Sequence, residues 1–307
     1  MRHTTIYSYG RPVRLGNHRL MLRPRDSHDL RLIQTNLNLS PAASIRWIHD
    51  VFGNSIAIAS FSDPTTELRI ESTLRLETFA IKRPAFQISP EAVSYPFIYS
   101  ADDRIDLGRL LDRQYSDPAE RVGSWARGFV RSNPTDTLAL LADLNSGIAK
   151  WITYQSRETE GTQTPNETLN RGFGSCRDFA VLLIEAARCL GFGARVVSGY
   201  LYNPSATATG AGTTHAWADV YVPGSGWIAY DPTNGTIDGG DLIRVAVTRD
   251  VSQAVPIAGS FVGASDSYLG MTVEVAVTPD SSPRPSAWPA KFQTETLSTA
   301  NAASKQV

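Results

Sequence analysis

The segment Gly172-Phe-Gly-Ser-Cys-Arg-Asp178 stands directly before the longest apolar stretch of this 307-residue chain, residues 179–190. Between residues 175 and 190, apolar side chains recur at positions i, i+3 and i+4, and this period predicts a helix with one buried face. Gly191 and Gly193 are typical of a helix C-terminus. Cys176 therefore lies in the first helical turn, where free backbone N–H groups and the positive end of the helix dipole favour a thiolate.

Strand-like segments follow this helix, so the second half of the chain is predicted to be α+β. The strands are expected at residues 194–202, 215–222, 227–230, 242–247 and 271–277. The turn Pro223-Gly-Ser-Gly226 joins the second of these strands to the third as a hairpin. If Tyr221 pairs with Trp227, His215 and Asp231 share one face, about 7–8 Å apart between backbones. A slip of one residue would place them on opposite faces, so the predicted site depends on this register.

The positions of cysteine and histidine narrow the possible chemistry. Cys176 and Cys189 are thirteen residues apart on one predicted helix, hence about 20 Å apart and too distant for a disulfide. Cys189 lies at the negative end of the helix dipole and is predicted to be a small core residue. Four histidines lie in the first part of the chain: His3, His18, His28 and His49. If a Cys–His pair acts within one domain, elimination leaves His215 as the base, and Asp231 can orient its imidazole.

The first 85 residues predict a β-sandwich-like module. Short alternating segments separated by Gly, Pro and Asn recur there, with residues 30–33 and 37–39 as separate strands. Helical spacing follows at residues 118–129 and 135–152, with Thr135 or Asp136 as an N-cap. Residues 162–170 are interpreted as a polar connector. After Thr278 the composition turns to Ser, Thr, Pro and Ala, which is typical of a flexible tail.

Four ordered motifs carry a resemblance to a known family. They are residues 168–180 around Cys176, residues 194–200 (Ala-Arg-Val-Val-Ser-Gly-Tyr), residues 214–219 (Thr-His-Ala-Trp-Ala-Asp) and residues 227–234 (Trp-Ile-Ala-Tyr-Asp-Pro-Thr-Asn). In this order they resemble the motifs of the bacterial transglutaminase-like superfamily. Residues 1–80 are similar to the β-rich region often found before this core in bacteria.

The resemblance implies a papain-like core in which the Cys-bearing helix packs on an antiparallel sheet. It makes Cys176 the nucleophile, His215 the base and acid, and Asp231 the orienting carboxylate. Tyr154 or Gln155 is the candidate for the second oxyanion donor, and no cofactor is expected. The predicted division is an N-terminal module (1–85), a helical connecting region (86–150), the transglutaminase-like core (151–278) and the tail (279–307).

The expected activity is acyl transfer on a peptide or protein amide, by hydrolysis, deamidation or transamidation, and the sequence leaves that choice open. A non-catalytic scaffold and an arylamine N-acetyltransferase are the alternatives. A metal site is disfavoured because the chain has no C-x-x-C or H-x-x-x-H pair and no acidic loop to match a calcium site. Trp217 shares the face of His215 and is interpreted as a core aromatic. Arg177 and Asp178 are expected to make structural contacts at the helix start.

Composition restricts the partners. Lys and Arg number 29 and Asp and Glu 30, so a net charge of -1 gives no electrostatic reason to expect nucleic acid or an acidic membrane. No secretory signal is evident, and the longest apolar stretch is too short to span a bilayer, so a cytoplasmic location is expected. Oligomeric state is not determined by these features.

Overall fold

The computed structural model describes residues 1–79, 85–156, 161–202 and 212–279. Apart from residue 279, the predicted tail (279–307) lies outside the described residues, and its flexibility stays a prediction. Residues 1–277 form one unit of the fold.

The N-terminal module consists of six strands, as its alternating pattern predicted. They are β1 (Arg2–Leu15), β2 (His18–Arg23), β3 (Leu30–Ser40), β4 (Ser44–His49), β5 (Ser55–Ser60) and β6 (Thr65–Thr78). The two strands predicted at 30–33 and 37–39 are wrong as separate elements. They form the single strand β3 because pairing with β6 continues through residues 34–36, past a bulge after Leu32.

Helices and short bridges occupy the middle of the chain. They are β7 (Ser94–Tyr95), α1 (Ala101–Leu107), α2 (Arg121–Arg127), β8 (Thr135–Asp136), α3 (Thr137–Trp151), β9 (Thr153–Tyr154), α4 (Pro165–Arg171) and β10 (Phe173–Gly174), with short 3-10 turns at Pro90–Ala92 and Gly108–Leu110. Asp136 is the N-cap of α3, and its side chain accepts the N–H of Ala139.

The interpretation of residues 162–170 as a connector is wrong. Helix α4 forms there because Thr164 and Glu167 build a capping box: the threonine hydroxyl accepts the N–H of Glu167, and the glutamate carboxylate accepts the N–H of Thr164. Pro165 occupies the first helical position, where its missing N–H costs nothing. The pattern Thr-Pro-Asn-Glu was a readable start signal.

The core is a five-stranded antiparallel sheet covered on one face by a helix. Its elements are α5 (Cys176–Cys189), β11 (Ala194–Tyr202), β12 (Gly212–Val222), β13 (Gly226–Asp231), β14 (Thr236–Ile237) and β15 (Leu242–Thr248), in the strand order β14-β13-β12-β11-β15. Helix α5 packs on the face formed by Ala218, Val220 and Val222. The α+β fold, with its Cys-bearing helix on an antiparallel sheet, is confirmed.

The last strands return to the N-terminal module. After a 3-10 turn at Val251–Ala254, β16 (Ile257–Ala258) pairs with β2, and β17 (Phe261–Val262) and β18 (Tyr268–Ala276) pair with β1. The two sheets, β3-β6-β1 with β17 and β18, and β4-β5-β2-β16, pack around Val13, Leu20 and Leu68 as a sandwich. The predicted core boundary at residue 278 thus takes in strands that pair with the module, and the four-part division stays a prediction.

Polar contacts join the sandwich to the core sheet. Asn54 is buried and makes two hydrogen bonds with the backbone of Val247: its Nδ2 donates to the carbonyl at 2.7 Å and its Oδ1 accepts the N–H at 2.9 Å. The buried His3 ring is 2.7 Å from the Tyr200 hydroxyl. Because such pairs satisfy buried polar groups across the boundary, they define the relative position of the two parts.

Candidate active site

The N-terminus of α5 positions Cys176 as its first residue. Ser175 is the N-cap, and Asp178 completes a capping box by accepting the backbone N–H and the hydroxyl of Ser175 at 2.8 and 2.9 Å. The same buried carboxylate accepts the backbone N–H of Gln163 at 2.7 Å and its side-chain amide at 3.2 Å. Burial alone would raise the pKa of Asp178, but these hydrogen bonds outweigh it and lower that pKa. Its predicted structural role at the helix start is confirmed.

The hairpin of β12 and β13 brings His215 and Asp231 together. Tyr221 pairs with Trp227, as predicted. Nε2 of His215 lies 2.8 Å from Oδ2 of Asp231, and both side chains are buried. The diagonal separation expected from the register is therefore bridged by the two side chains.

The Asp231 carboxylate is also held from the segment that follows it. It accepts the backbone N–H of Thr233 at 3.0 Å and that of Asn234 at 3.3 Å, and the Asn234 side-chain amide donates to it at 2.7 Å. Burial acts to raise the pKa of Asp231, whereas the bond and charge of His215 and the bonds from Asn234 and Thr233 lower it below its ordinary value. Asp231 is thus an ionised carboxylate with a fixed orientation.

His215 interacts with both of the other predicted site residues. Burial would lower its pKa, but hydrogen bonds with Asp231 and Cys176, together with their negative charges, raise the pKa to about 9. The structure therefore brings Cys176, His215 and Asp231 into one cluster with the imidazole in the middle. Such an arrangement can hold a proton between a sulfur and a carboxylate near neutral pH.

The two candidates for the second oxyanion donor differ in their surroundings. Strands β9 and β10 pair in parallel just before Cys176, and the backbone N–H of Gln155 donates to the carbonyl of Gly174 at 2.9 Å. That N–H is therefore already engaged in a hydrogen bond within the strand pair. The exposed Tyr154 ring packs edge-on against Phe179, and burial and the charge of Cys176 raise the pKa of its hydroxyl. Both Tyr154 and Gln155 therefore stay predictions as the second oxyanion donor.

Trp217 contacts the site and the core at once. Its ring stacks on His215 with centroids 6.1 Å apart and an interplanar angle of 29°. The indole is buried in a cluster with Val197, Ala229 and Val247, which confirms the prediction of a core aromatic. Because it packs against the imidazole, it also limits how that ring can tilt. Sequence parity placed it on the correct face but did not predict this stacking.

Cys189 has no part in this cluster. It is half-buried at the opposite end of α5, and burial raises the pKa of its thiol to about 11, with the charge of Arg113 opposing the rise. Both cysteines are free thiols. Across the ranges that the structure describes, no group of three His, Cys, Asp or Glu side chains is arranged to hold a metal ion. None of the helices in the described part of the chain has the length and apolar character of a membrane span.

Comparison with known proteins relates two parts of this chain to described protein families. Residues 123–232 match the transglutaminase-like superfamily, and residues 1–77 match the bacterial transglutaminase-like N-terminal region. The chain has a transglutaminase-like core. The matched range takes in α3 to β13 and contains Cys176, His215 and Asp231.

Two similar proteins match nearly the whole length of this chain. The uncharacterized protein ML0607 of Mycobacterium leprae (strain TN) is 26% identical over 281 residues, which are 89% of this chain and 96% of that protein. A crystal structure from Cytophaga hutchinsonii, named "Putative Cysteine Protease", shares 20% identity with a TM-score of 0.66 and covers 92% of this chain and 91% of its own. At this identity the likeness shows a common fold.

Proposed function

We propose that this protein is a thiol-dependent acyl-transfer enzyme that acts on peptide or protein amide bonds, with Cys176 as nucleophile. The observation that carries the proposal is the central position of His215, which is 2.8 Å from Asp231 and has a pKa raised to about 9 by Asp231 and Cys176. The match of residues 123–232 to the transglutaminase-like superfamily supports a thiol-dependent enzyme.

In the first step, the proton of the Cys176 thiol lies on His215, whose pKa is raised to about 9, and the thiolate sulfur attacks the amide carbonyl carbon. The carbonyl π electrons move to oxygen, and the resulting oxyanion is stabilised by the backbone N–H of Cys176 at the helix N-terminus and by a donor from the Tyr154 side. His215 then gives its proton to the leaving amine as the C–N bond breaks, which leaves a thioester on Cys176.

The second step releases the acyl group. Water or an amine attacks the thioester while His215 accepts its proton, and the C–S bond breaks to return the Cys176 thiolate beside the protonated imidazole. Asp231 stays ionised throughout, because the hydrogen bonds it accepts hold its pKa low, and it stabilises the imidazolium that forms twice in the cycle. Whether the product is an acid or a new amide depends on which nucleophile reaches the thioester.

Alkylation of Cys176 tests the activated pair directly. Iodoacetamide labelling, followed across pH by mass spectrometry, is expected to be fast at neutral pH in the wild type and in Cys189→Ala. It is expected to slow strongly in His215→Ala. A pH profile of an ordinary free thiol, unchanged in His215→Ala, would contradict the activated pair and favour a non-catalytic scaffold.

A mixture of peptides with and without an added primary amine tests the reaction itself. Mass spectrometry distinguishes cleaved peptides, amides converted to acids and amine adducts, and Cys176→Ala is the control that removes the nucleophile alone. Absence of all three products, with no thioester trapped on Cys176, would contradict the proposed activity. The cytoplasmic location expected from the sequence remains part of this proposal, and cell fractionation would test it.

A further inference from the structure

A cavity of about 760 Å³ lies on the face of the core sheet opposite α5. Strand alternation explains its place: Ala218 and Val220 face the helix, so Trp217 and Asp219 face the other way. The sandwich and the core sheet both line the cavity, through residues that include Arg25, Asp29, Trp217, Trp227, Asp238 and Arg244.

This cavity is separate from the site of Cys176. None of Cys176, His215 and Asp231 is among its lining residues. Trp217 is the link, because its indole lines the cavity and also stacks on the imidazole of His215. The buried Nε1–H of this indole finds no acceptor among the described residues. A buried donor of this kind costs free energy unless another group accepts its hydrogen bond.

Two guanidinium groups of the cavity lining share one buried carboxylate behind it. Asp219 is 0% exposed and accepts hydrogen bonds from Arg195 Nε at 3.1 Å and from Arg244 Nη1 and Nη2 at 2.8 and 3.2 Å. The Arg195 side chain is 15% exposed and that of Arg244 38%. The Arg195 guanidinium also lies over the Trp227 ring, 4.0 Å from its centroid. This group therefore presents one positive charge more than its carboxylate neutralises, on side chains that are held in place.

Negative charge is present in the same cavity. Asp29 and Asp238 both contribute to its lining. Burial, and the charges of Asp29 and Asp219, raise the pKa of Asp238, while Arg244 and His28 oppose the rise. The charges of these carboxylates thus interact with one another and with the Arg244 guanidinium. The cavity offers both signs of charge beside the apolar surfaces of Trp217 and Phe52.

We propose that this cavity binds a short peptide with a free α-carboxylate and a free α-ammonium group. The carboxylate would accept hydrogen bonds from Arg195 and Arg244, and the ammonium group would lie at Asp29 and Asp238. The volume falls within the range of small-ligand sites, about 300–1,000 Å³. The proposal concerns binding alone and does not depend on the reaction proposed for Cys176.

Calorimetric titration with tri-alanine in three forms tests the site. The forms have free termini, an amidated C-terminus or an acetylated N-terminus, and Cys176→Ala protein is used so that no turnover occurs. The free form is expected to bind, and each blocked form to bind about tenfold more weakly, since a charge-assisted hydrogen bond is lost. Equal affinity for the free and amidated forms, or no binding of any form up to millimolar concentration, would overturn the proposal.

The variant Arg244→Gln tests where the carboxylate of the peptide binds. It should weaken binding of free tri-alanine about tenfold and reduce the difference between the free and amidated forms, since Arg195 remains as the second donor. Arg131→Gln is the matched control, because this exposed arginine pairs with Asp143 and is not a lining residue. If Arg244→Gln does not fold, Asp238→Asn, compared on the free and acetylated forms, carries the test. Affinities unchanged by the lining variant would place the peptide elsewhere and refute the site.

Discussion

Nε2 of His215 meets Oδ2 of Asp231 at 2.8 Å across the β12–β13 hairpin. The remaining ring nitrogen is thereby left for the Cys176 side, whose hydrogen bond and charge act on the imidazole. The carboxylate determines both the tautomer and the charge of the histidine, so its removal should affect the chemistry more than the fold.

Asp231→Asn should slow acyl transfer by roughly 10³–10⁴-fold. The Asn amide can donate a hydrogen bond to the imidazole where the carboxylate only accepts one, which favours the wrong tautomer. It should also lower the pKa of His215 from about 9, since burial then acts without the opposing carboxylate charge. NMR titration of the His215 ring measures this shift. Asn234→Ala is the control, because it removes one bond to Asp231 and leaves the charge. An unchanged His215 pKa in Asp231→Asn would contradict the assigned coupling.

The raised pKa of His215 predicts a stability that falls in alkali. The folded-state pKa of about 9 exceeds the ordinary histidine pKa of 6.5. The protonated ring therefore stabilises the fold fully below about pH 6.5, and this contribution is lost as pH rises through about 9. The free energy of unfolding lost on His215→Gln should therefore be larger near pH 6 than near pH 10, by up to about 3 kcal/mol.

Urea denaturation of the wild type and of His215→Gln at both pH values measures this difference. His49→Gln is the matched control, because that side chain lies exposed on β4 of the sandwich. If His215→Gln lowers the free energy of unfolding equally at the two pH values, the imidazolium contributes nothing to stability.

Asp178→Ala should destabilise the fold by about 2–4 kcal/mol, since it leaves buried donors of Ser175 and Gln163 without their acceptor. The α5 N-terminus should become less ordered as a result, and alkylation of Cys176 should no longer be fast at neutral pH. Asp136→Ala is the comparison, because it removes the exposed N-cap of α3 and should cost about 1 kcal/mol. Thermal unfolding of both variants measures the loss of stability. An equal loss in the two variants would contradict the role of Asp178 as the acceptor of several buried donors.

Gly199→Ala should disturb the site from the neighbouring strand. Gly199 pairs with His215, and a Cβ there would clash with the carbonyl oxygen of Ile243 and lie 2.8 Å from the Trp217 ring. A cost of about 1–3 kcal/mol and slower alkylation of Cys176 are expected. Gly239→Ala is the control, since its Cβ would meet no atom within 4 Å. Alkylation at the wild-type rate in Gly199→Ala would show that the Trp217–His215 stacking is not required.

Local signals predicted most of the elements around the site. The apolar period of α5 and the short turn between β12 and β13 depend on neighbours in the chain, and both predictions are confirmed. The capping box of α4 was missed although its signal was readable. The return of β16–β18 to the sandwich was not predictable, because strand pairing between distant segments leaves no local period in the sequence.

Local sequence patterns were enough to predict that Cys176 begins a buried helix and that His215 and Asp231 share one face of a hairpin. Both follow from the geometry of helix and strand, which repeats over a few residues. The folded chain was needed to show that His215 interacts with Cys176 and that Trp217 stacks on the imidazole. It was also needed to show that Arg195 and Arg244 line one cavity and share Asp219. Electrostatic interactions and burial depend on distances between segments far apart in the chain, and folding sets those distances.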